Sequence, residues 1–290
     1  MNKTSVSSIP GLSPEQRAFY ADHGYFFPVS LFGPEETAGL RRCFEDYVGR
    51  YAARLSALLQ RDRRIYLSDT HLFLHWVYRL VSHPPVLDAV ECLIGPNILV
   101  WGAQWFPKLP GDRAYVSWHQ DGTYWGLHPP NVTTAWIALS ESNPGNGCMR
   151  VVPGTQKTPQ LPQRETYAPD NMLSRGQEIA VEVDEAQAVD LILRPGEMSL
   201  HHIAIVHGSG PNNSSQARIG LAVRYIAPEV VQDGPARDIA VLVRGEDAYG
   251  HFDLADPPAR DTSPEASPVH AEALRRKAAN ILRSDAPPSR

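Results

Sequence analysis

Two histidines and one aspartate have the residue types and the spacing of a transition-metal site. His119 and Asp121 stand two positions apart in residues 117–122 (SWHQDG), and His207 follows far downstream. The residues just before His119 are rich in aromatic and β-branched side chains, which is typical of a strand. Because alternate residues of a strand point to the same face, His119 and Asp121 can reach one ion. With His207 they form a ligand set that holds Fe(II) on one face and leaves positions open for a cosubstrate and dioxygen.

The H-x-D pair alone is a weak signal, and a second cluster around His207 gives it weight. An apolar run over residues 198–206 is followed by a polar loop and by a last strand over residues 218–226, which Arg218 opens. If the two strands pair antiparallel, His207 and Arg218 lie near one another. A planar guanidinium binds a carboxylate through two parallel hydrogen bonds, which lysine cannot do. The pattern favours an iron oxygenase that uses 2-oxoglutarate.

Other histidines have spacings that imitate a metal site. His201 has the same strand parity as His207 and could compete as a ligand, although a buried, hydrogen-bonded structural histidine is the favoured interpretation. His71 and His75 stand four residues apart, a helical metal spacing. Their apolar neighbours favour a place in the core or in a pocket wall, and His71 is a candidate substrate contact.

Further candidate substrate contacts lie beside the metal motif and on the last strand. Tyr124 and Trp125 directly follow the motif and either line the substrate pocket or pack against neighbouring tryptophans. Arg224 has the same strand parity as Arg218 and could meet an anionic substrate.

The motif His119-Gln120-Asp121, residues 207–212 (HGSGPN) and Arg218 together resemble the phytanoyl-CoA dioxygenase family of Fe(II)/2-oxoglutarate oxygenases. The similarity runs from about residue 12 to residue 228 and is most specific over residues 104–226. The resemblance implies Fe(II) bound by the two histidines and the aspartate, with dioxygen as a substrate. It also implies that Arg218 holds the far carboxylate of 2-oxoglutarate.

The same resemblance implies four further contacts around the cosubstrate. Ser209 supports the carboxylate, Trp136 lines the pocket, and Gln104 and Gln120 are polar contacts. Halogenating relatives carry a small residue where this chain has Asp121. The resemblance therefore implies a hydroxylase and not a halogenase.

The pattern of apolar residues predicts a mainly β protein with flanking helices. Short strand-like runs alternate with turns over residues 98–226, which is typical of a sandwich or barrel, and the resemblance specifies a double-stranded β-helix, a cupin-like jelly roll. We expect one domain over residues 1–290. Its expected parts are a helical segment at about 12–95, the jelly-roll core at about 98–228 and a C-terminal extension at about 229–290.

Four helices are expected around this core. A capping box at Ser13 predicts one that ends near Asp22. An apolar face from Leu40 to Leu58 predicts a long second helix, and further helices are expected over residues 84–93 and 267–282. The polar loop over residues 156–177 is long enough to form a lid or a binding loop.

Composition disfavours several classes of partner. The chain has 290 residues and a net charge of −5, and its one basic cluster, residues 61–64, is too short to indicate nucleic-acid binding. Three widely spaced cysteines are typical of a reducing compartment, and no apolar run suits a membrane span. We therefore expect a cytoplasmic enzyme that acts on a small molecule. The sequence leaves the oligomeric state open.

The sequence thus predicts hydroxylation of an unactivated C–H bond in a small polar metabolite or a natural-product intermediate. The substrate and the site of hydroxylation stay open, and so does the choice between a hydroxylated, desaturated or rearranged product. The alternative function is a cupin-like hydrolase or isomerase that uses the same metal ligands without 2-oxoglutarate. A catalytically silent ligand-binding sandwich is a third possibility, which the complete ligand set disfavours.

Overall fold

The computed structural model describes residues 11–58 and 63–281, which form two facing β-sheets with helices against the larger one. Residues 61 and 62 of the basic cluster and residue 282 of the predicted last helix lie outside the described residues. The helices are α1 (Pro14–His23), α2 (Pro34–Arg50), α3 (Ala52–Ala57), α4 (Arg64–Leu67), α5 (His75–Val81), α6 (Pro84–Ile94), α7 (Gly122–Trp125) and α8 (Pro268–Ile281).

Local sequence signals set the helix boundaries near the N-terminus. The Ser13 hydroxyl accepts a hydrogen bond from the Gln16 backbone N–H and the Gln16 side chain accepts one from the Ser13 N–H, so the predicted capping box opens α1. Gly24 ends the helix in the left-handed region, with φ of 81°. The prediction of one continuous second helix to Leu58 is wrong. The helix breaks at Tyr51, which leaves the helical backbone region while its ring packs between two other tyrosines.

The strands form two main sheets and two small antiparallel pairs, β4 with β13 and β7 with β8. They are β1 (Tyr25–Ser30), β2 (Ile98–Trp105), β3 (Val116–His119), β4 (Leu127–His128), β5 (Val132–Ala138), β6 (Arg150–Val152), β7 (Gln163–Glu165), β8 (Gln177–Ile179), β9 (Val189–Asp190), β10 (Glu197–His202), β11 (Val206–Ser209), β12 (Gly220–Ile226), β13 (Val231–Gln232), β14 (Ile239–Arg244) and β15 (Asp253–Leu254). The larger sheet has the order β1-β10-β5-β12-β2-β14-β15, and the smaller has the order β3-β11-β6-β9. This is the predicted jelly roll. Because β1 and β14 belong to the larger sheet, that sheet extends beyond both limits predicted for the core.

Strand periodicity separates the two faces of the larger sheet. On β12, Leu221, Val223 and Tyr225 face a core shared with the helices, whereas Ala222 and Arg224 face the smaller sheet or its cavities. On β5, Ile137 faces the core shared with the helices and Trp136 faces the smaller sheet. The face turned toward the smaller sheet carries Thr134 and Arg224, which line the smaller cavity.

The predicted pairing of the His207 strand with the Arg218 strand is wrong. The apolar run over residues 198–206 contains a tight turn, in which the Ile205 N–H donates to the His202 carbonyl, and it yields two strands, β10 and β11. Strand β11 pairs with β3 and β6, while β12 pairs with β2 and β5. His207 and Arg218 lie close because the two sheets face one another.

A buried ion pair attaches α8 to the sheet. The Lys277 ammonium lies 2.7 Å from an Asp69 carboxylate oxygen and also donates to the Trp101 carbonyl, and its side chain is only 13% exposed. Burial by itself raises the pKa of Asp69, but the Lys277 charge, the neighbouring His71 and hydrogen bonds from Lys277 and the Ala103 N–H together outweigh it, so the pKa lies below its usual value. The C-terminal helix is thus an integral part of the folded domain.

We expect Lys277→Met to destabilise the protein by about 3–5 kcal/mol, because it leaves the Asp69 carboxylate buried without its partner. The matched control is Lys157→Met, which removes an ion pair to Asp22 of similar length, 2.9 Å, whose side chains are mostly exposed. That change should cost far less stability, because solvent and salt screen an exposed ion pair. Urea unfolding followed by circular dichroism measures both free energies. An equal loss of unfolding free energy in the two variants would show that the buried ion pair of α8 stabilises the fold no more than the exposed one.

The cysteines and the apolarity of the helices can also be read from the structure. The three cysteines, Cys43, Cys92 and Cys148, are all free thiols. Within the part of the chain that the structure describes, no helix has the length and apolarity to cross a membrane.

Candidate metal and cosubstrate site

The three predicted metal ligands converge at one point between the sheets. His119 on β3 and His207 on β11 are direct cross-strand partners, and Asp121 follows at the start of α7. One ligating atom from each residue lies within 4.8 Å of the other two. His119 Nε2 is 3.3 Å and His207 Nε2 is 3.9 Å from the Asp121 carboxylate oxygens. All three residues are buried.

Backbone carbonyls orient both imidazoles. The Nδ1 atom of His119 lies 2.9 Å from the Ser117 carbonyl, and Nδ1 of His207 lies 3.1 Å from the Ile205 carbonyl. A carbonyl can only accept, so each Nδ1 carries the proton and each Nε2 keeps its lone pair. Partners of this kind fix the ring orientation of metal-bound histidines. The site is therefore arranged to present two neutral nitrogens and one carboxylate.

The charge states agree with metal binding. Burial and the neighbouring His119 hold the pKa of His207 well below its usual value, so this imidazole is neutral at physiological pH. The pKa of Asp121 lies well below its usual value even though burial raises it, because the His119 and His207 rings lie beside the carboxylate. Metal ions bind neutral histidine and ionised carboxylate, so no proton has to leave before binding.

A smaller cavity opens on one side of these ligands and contains a buried arginine. It measures about 490 Å³ including its mouth and is bounded by both ligating histidines, Asp121 and Arg218. The Arg218 guanidinium lies 5.3 Å from the centre of the Trp136 ring and donates to the Gly147 and Phe106 carbonyls, while its Nε has no partner. Burial lowers its pKa only to about 10, so it stays charged. Within the described residues, no carboxylate lies within 4.0 Å of it.

Ser209 also lines the smaller cavity, and a lysine that sequence analysis did not select holds it in place. Lys108 is fully buried, and its Nζ lies 2.7 Å from the Ser209 Oγ and donates to the Gly210 carbonyl. Burial and the nearby Arg218 charge lower the pKa of Lys108 to about 6. Residues Lys108 and Arg218 also form an isolated β-bridge, so their backbones are tied together. No local motif marks Lys108, because its partners are about a hundred positions away.

The Trp136 ring needs the glycine at position 220. A Cβ at Gly220 would lie 2.0 Å from the Trp136 Cζ2 atom. We expect Gly220→Ala to displace the ring, to cost about 1–3 kcal/mol of stability through overpacking, and to weaken cosubstrate binding. Gly210→Ala is the matched control, because a Cβ there meets nothing within 4 Å. Thermal unfolding and 2-oxoglutarate titration of both variants measure the two effects, and identical behaviour would contradict this packing.

A larger cavity, about 870 Å³ including its mouth, lies on the other side of the metal ligands. The two cavities share His119, Asp121, Leu173 and Arg224, and so meet at the metal site. The remaining walls come from several separate segments. They include Ser68, Asp69, Trp101, Tyr124, Trp125, Met172, Leu274, Lys277 and Ile281.

Some predicted site residues occupy this larger cavity and others lie elsewhere. Tyr124, Trp125 and Arg224 line it, and so does Gln104, which was predicted to be a polar cosubstrate contact. His71 lines neither cavity; it is buried beside the pocket residue Asp69, and burial lowers its pKa to about 4. The structure thus places His71 behind the cavity wall, and its neighbours Ser68 and Asp69 line the larger cavity.

Gln120 also departs from its predicted role. Its amide Nε2 donates to the Ala204 carbonyl at 2.7 Å, and its Oε1 accepts from the Leu161 N–H at 2.9 Å. Both ends of the side chain are engaged with backbone, and the residue lines neither cavity. Strand β3 ends at His119, and the Gln120 side chain that follows points away from the metal ligands, toward the Ala204 and Leu161 backbone. It attaches the metal loop to the polar segment near Leu161 and does not reach a cosubstrate.

His201 lies beside the ligands without joining them. It lines the smaller cavity, its Nε2 is 4.0 Å from the Asp121 carboxylate, and its ring centre is 4.8 Å from that of His207. Its Nδ1 is buried and has no hydrogen-bond partner, unlike the Nδ1 atoms of the two predicted ligands. The geometric group that could hold an ion contains His119, Asp121 and His207 alone among the described residues.

Comparison with known proteins decides the family. The model of the phytanoyl-CoA dioxygenase (PhyH) family matches residues 20–220, more than half of the chain. The chain belongs to this family. It is a 2-oxoglutarate-dependent dioxygenase with Fe(II) as its metal, and the resemblance predicted from the sequence is confirmed.

Relatives of known structure or known name agree with this assignment. Bovine (Bos taurus) peroxisomal phytanoyl-CoA dioxygenase is 28% identical over 240 residues, which cover 74% of this chain and 68% of the relative. A probable alpha-ketoglutarate-dependent hypophosphite dioxygenase from Stutzerimonas stutzeri is 29% identical, with 74% and 79% covered. The solved structure of the non-heme monooxygenase ThoJ is 33% identical, covers 92% of this chain and 97% of ThoJ, and superposes with a TM-score of 0.79.

Proposed function

We propose that this PhyH-family enzyme hydroxylates an unactivated C–H bond of a small polar metabolite or a natural-product intermediate. His119, Asp121 and His207 hold the Fe(II), and Arg218 holds the far carboxylate of 2-oxoglutarate. One observation carries the proposal. The charged, buried guanidinium of Arg218 has no acidic partner among the described residues, and it faces the smaller cavity, whose wall includes the three metal ligands. A protein retains such a charge in its interior when a ligand supplies the opposite charge.

The residues fit both the metal and the cosubstrate. Both ligating imidazoles have their Nδ1 atoms occupied by carbonyls and their Nε2 atoms turned toward Asp121, as a metal requires. The orphaned Nε of Arg218 leaves a donor free for a carboxylate. Trp136 forms an apolar wall beside it, and the Ser209 hydroxyl, held by Lys108, offers a second donor.

The bound Fe(II) and 2-oxoglutarate supply the activation of dioxygen, and the chain supplies binding and orientation. Arg218 and Ser209 fix the cosubstrate from its far end. The apolar walls of the smaller cavity exclude water from the reacting atoms, which strengthens the electrostatic interactions made there. Asp121 occupies the third ligand position with a carboxylate, so this position offers no room for a halide, and hydroxylation is favoured over halogenation.

The larger cavity is the proposed substrate site. It reaches the metal ligands from the side opposite Arg218 and has aromatic walls with a few charged groups, which is typical of small-molecule sites. A substrate bound there meets the metal at the junction of the two cavities, while the cosubstrate occupies the other side.

Titration of 2-oxoglutarate into the anaerobic Fe(II) enzyme tests the proposal. The expected result is a visible metal-to-ligand charge-transfer band that saturates with cosubstrate. A hydrolase or isomerase that uses the metal without 2-oxoglutarate would give no such band, and its absence at saturating cosubstrate would overturn the proposal. Screening compound pools for substrate-stimulated release of succinate then identifies the substrate.

A further inference from the structure

Arg224 lies where the two cavities meet and faces the proposed substrate site. It sits on the same face of β12 as Ala222 and lines both cavities. Its guanidinium carbon lies 5.2 Å from the centre of the Trp125 ring, and that ring packs at 5.2 Å against Trp101. The aromatic contact holds the planar guanidinium in a fixed orientation beside the metal ligands.

The positive charge of Arg224 has no direct partner among the described residues. None of their carboxylates lies within 4.0 Å of it, and its buried Nε makes no hydrogen bond. The two nearest acidic groups are already engaged, since Asp69 pairs with Lys277 at 2.7 Å and Asp121 is directed at the histidines. Burial lowers the pKa of Arg224, an effect that Asp121 and Asp69 oppose from a distance.

Arg224 repeats the arrangement of Arg218 on the other side of the metal site. Both guanidinium groups lie over an indole ring, at 5.2 Å from Trp125 and 5.3 Å from Trp136. Both have a buried Nε without a partner. In the smaller cavity this arrangement suits the carboxylate of 2-oxoglutarate, so the same arrangement in the larger cavity suits an oxyanion of the substrate.

We propose that Arg224 is the substrate anchor and that the substrate carries an oxyanion, a carboxylate or a phosphonate, on an apolar or aromatic body. The planar fork of the guanidinium binds such groups through two hydrogen bonds. Trp125, Tyr124 and Leu274 provide the apolar surface for the rest of the molecule. This inference rests on the proposed function, because it assigns the larger cavity to the substrate.

Matched small probes test the inference without knowledge of the substrate. Phenylacetate and phenylacetamide differ in one charge and are titrated separately into the anaerobic enzyme loaded with Fe(II) and saturating 2-oxoglutarate. Perturbation of the charge-transfer band reports binding beside the metal. We expect phenylacetate to bind about tenfold or more tightly than its amide, because hydrogen bonds to charged groups are the stronger ones. Phenylphosphonate forms a second arm, and the tighter of the two anions identifies the preferred oxyanion.

Variants attribute the preference to Arg224. Arg224→Gln should abolish the difference between acid and amide, and Arg224→Lys should retain part of it. The control Arg41→Gln removes an exposed arginine of α2 and should leave the preference unchanged. A charge-transfer band in each variant shows that it is folded and loaded. If Arg224→Gln does not fold, Arg224→Lys takes its place, and an undiminished preference for the acid in that variant overturns the inference.

Each outcome separates this inference from the proposed function. If the wild type gives no band with 2-oxoglutarate, the proposed function fails. If the band forms but acid and amide bind equally, or neither binds, the inference about Arg224 alone is overturned. The same holds if phenylacetate merely displaces 2-oxoglutarate and diminishes the band, or if Arg224→Gln keeps the full preference.

Discussion

His207→Ala and Asp121→Ala should each abolish turnover and lower the affinity for Fe(II) by more than about 100-fold. Each change removes one of only three protein ligands, and changes to groups that merely orient a ligand already cost about 10–100-fold. Iron content of the purified, folded variants, together with succinate release, measures both effects.

His201→Ala is the matched control for the loss of iron. It removes a third imidazole at the same place, 4.0 Å from Asp121, that the geometry leaves outside the ligand group. The variant should keep its iron. If His201→Ala loses iron while His207→Ala keeps full iron and activity, the ligand assignment is wrong and the two histidines exchange roles.

The second large effect is expected at Arg218. Arg218→Ala should weaken 2-oxoglutarate while largely sparing iron, because the side chain faces the cosubstrate end of the cavity. Loss of one partner of a buried, hydrogen-bonded charge pair costs about 2–5 kcal/mol. The dissociation constant for 2-oxoglutarate should therefore rise on the order of thirtyfold or more. Titration of the charge-transfer band measures it.

A change of cosubstrate separates charge pairing from a general loss of structure. In 2-oxovalerate a methyl group replaces the distal carboxylate of 2-oxoglutarate. The wild type should therefore bind 2-oxovalerate much more weakly than 2-oxoglutarate, whereas Arg218→Ala should bind the two with similar affinity. Arg218→Lys should restore 2-oxoglutarate binding only in part, because an ammonium lacks the planar fork. Equal discrimination between the two cosubstrates by wild type and Arg218→Ala would show that another group anchors the carboxylate.

The metal site could be predicted from the sequence because its signals are local. His119 and Asp121 stand two positions apart, and His207 and Arg218 lie in one short stretch of chain. The expected causes were wrong. Strand β3 ends at His119, so Asp121 is placed by the start of α7. Arg218 precedes β12 in an isolated bridge to Lys108 and does not pair with β11. Proximity was predicted correctly and its cause was not, since sheet pairing depends on contacts distant in sequence.

The walls of the larger cavity could not be predicted in the same way. Lys277 reaches the site through its pairing with Asp69, more than two hundred positions away, and the sequence around it resembles any amphipathic helix. Gln120 shows the opposite error: its neighbours in the motif suggested a cosubstrate role, but its side chain is hydrogen-bonded to the Ala204 and Leu161 backbone. Proximity in sequence to a ligand is a weaker guide than the direction of the side chain.

The two cavities are built by different parts of the chain. Apart from the four residues that they share, β5 and β11 line only the smaller cavity, whereas β2, α7, the segment around residues 172–177 and one side of α8 line the larger one. Mutations in α8 or in that segment can reshape the larger cavity and leave the histidines, Asp121 and Arg218 untouched. A gene duplicate of such an enzyme can therefore diverge toward a new substrate in small steps, each of which keeps the oxidative chemistry working. The ion pair between Lys277 and Asp69 has to be kept during such changes, because it attaches α8, which forms part of the wall of the larger cavity.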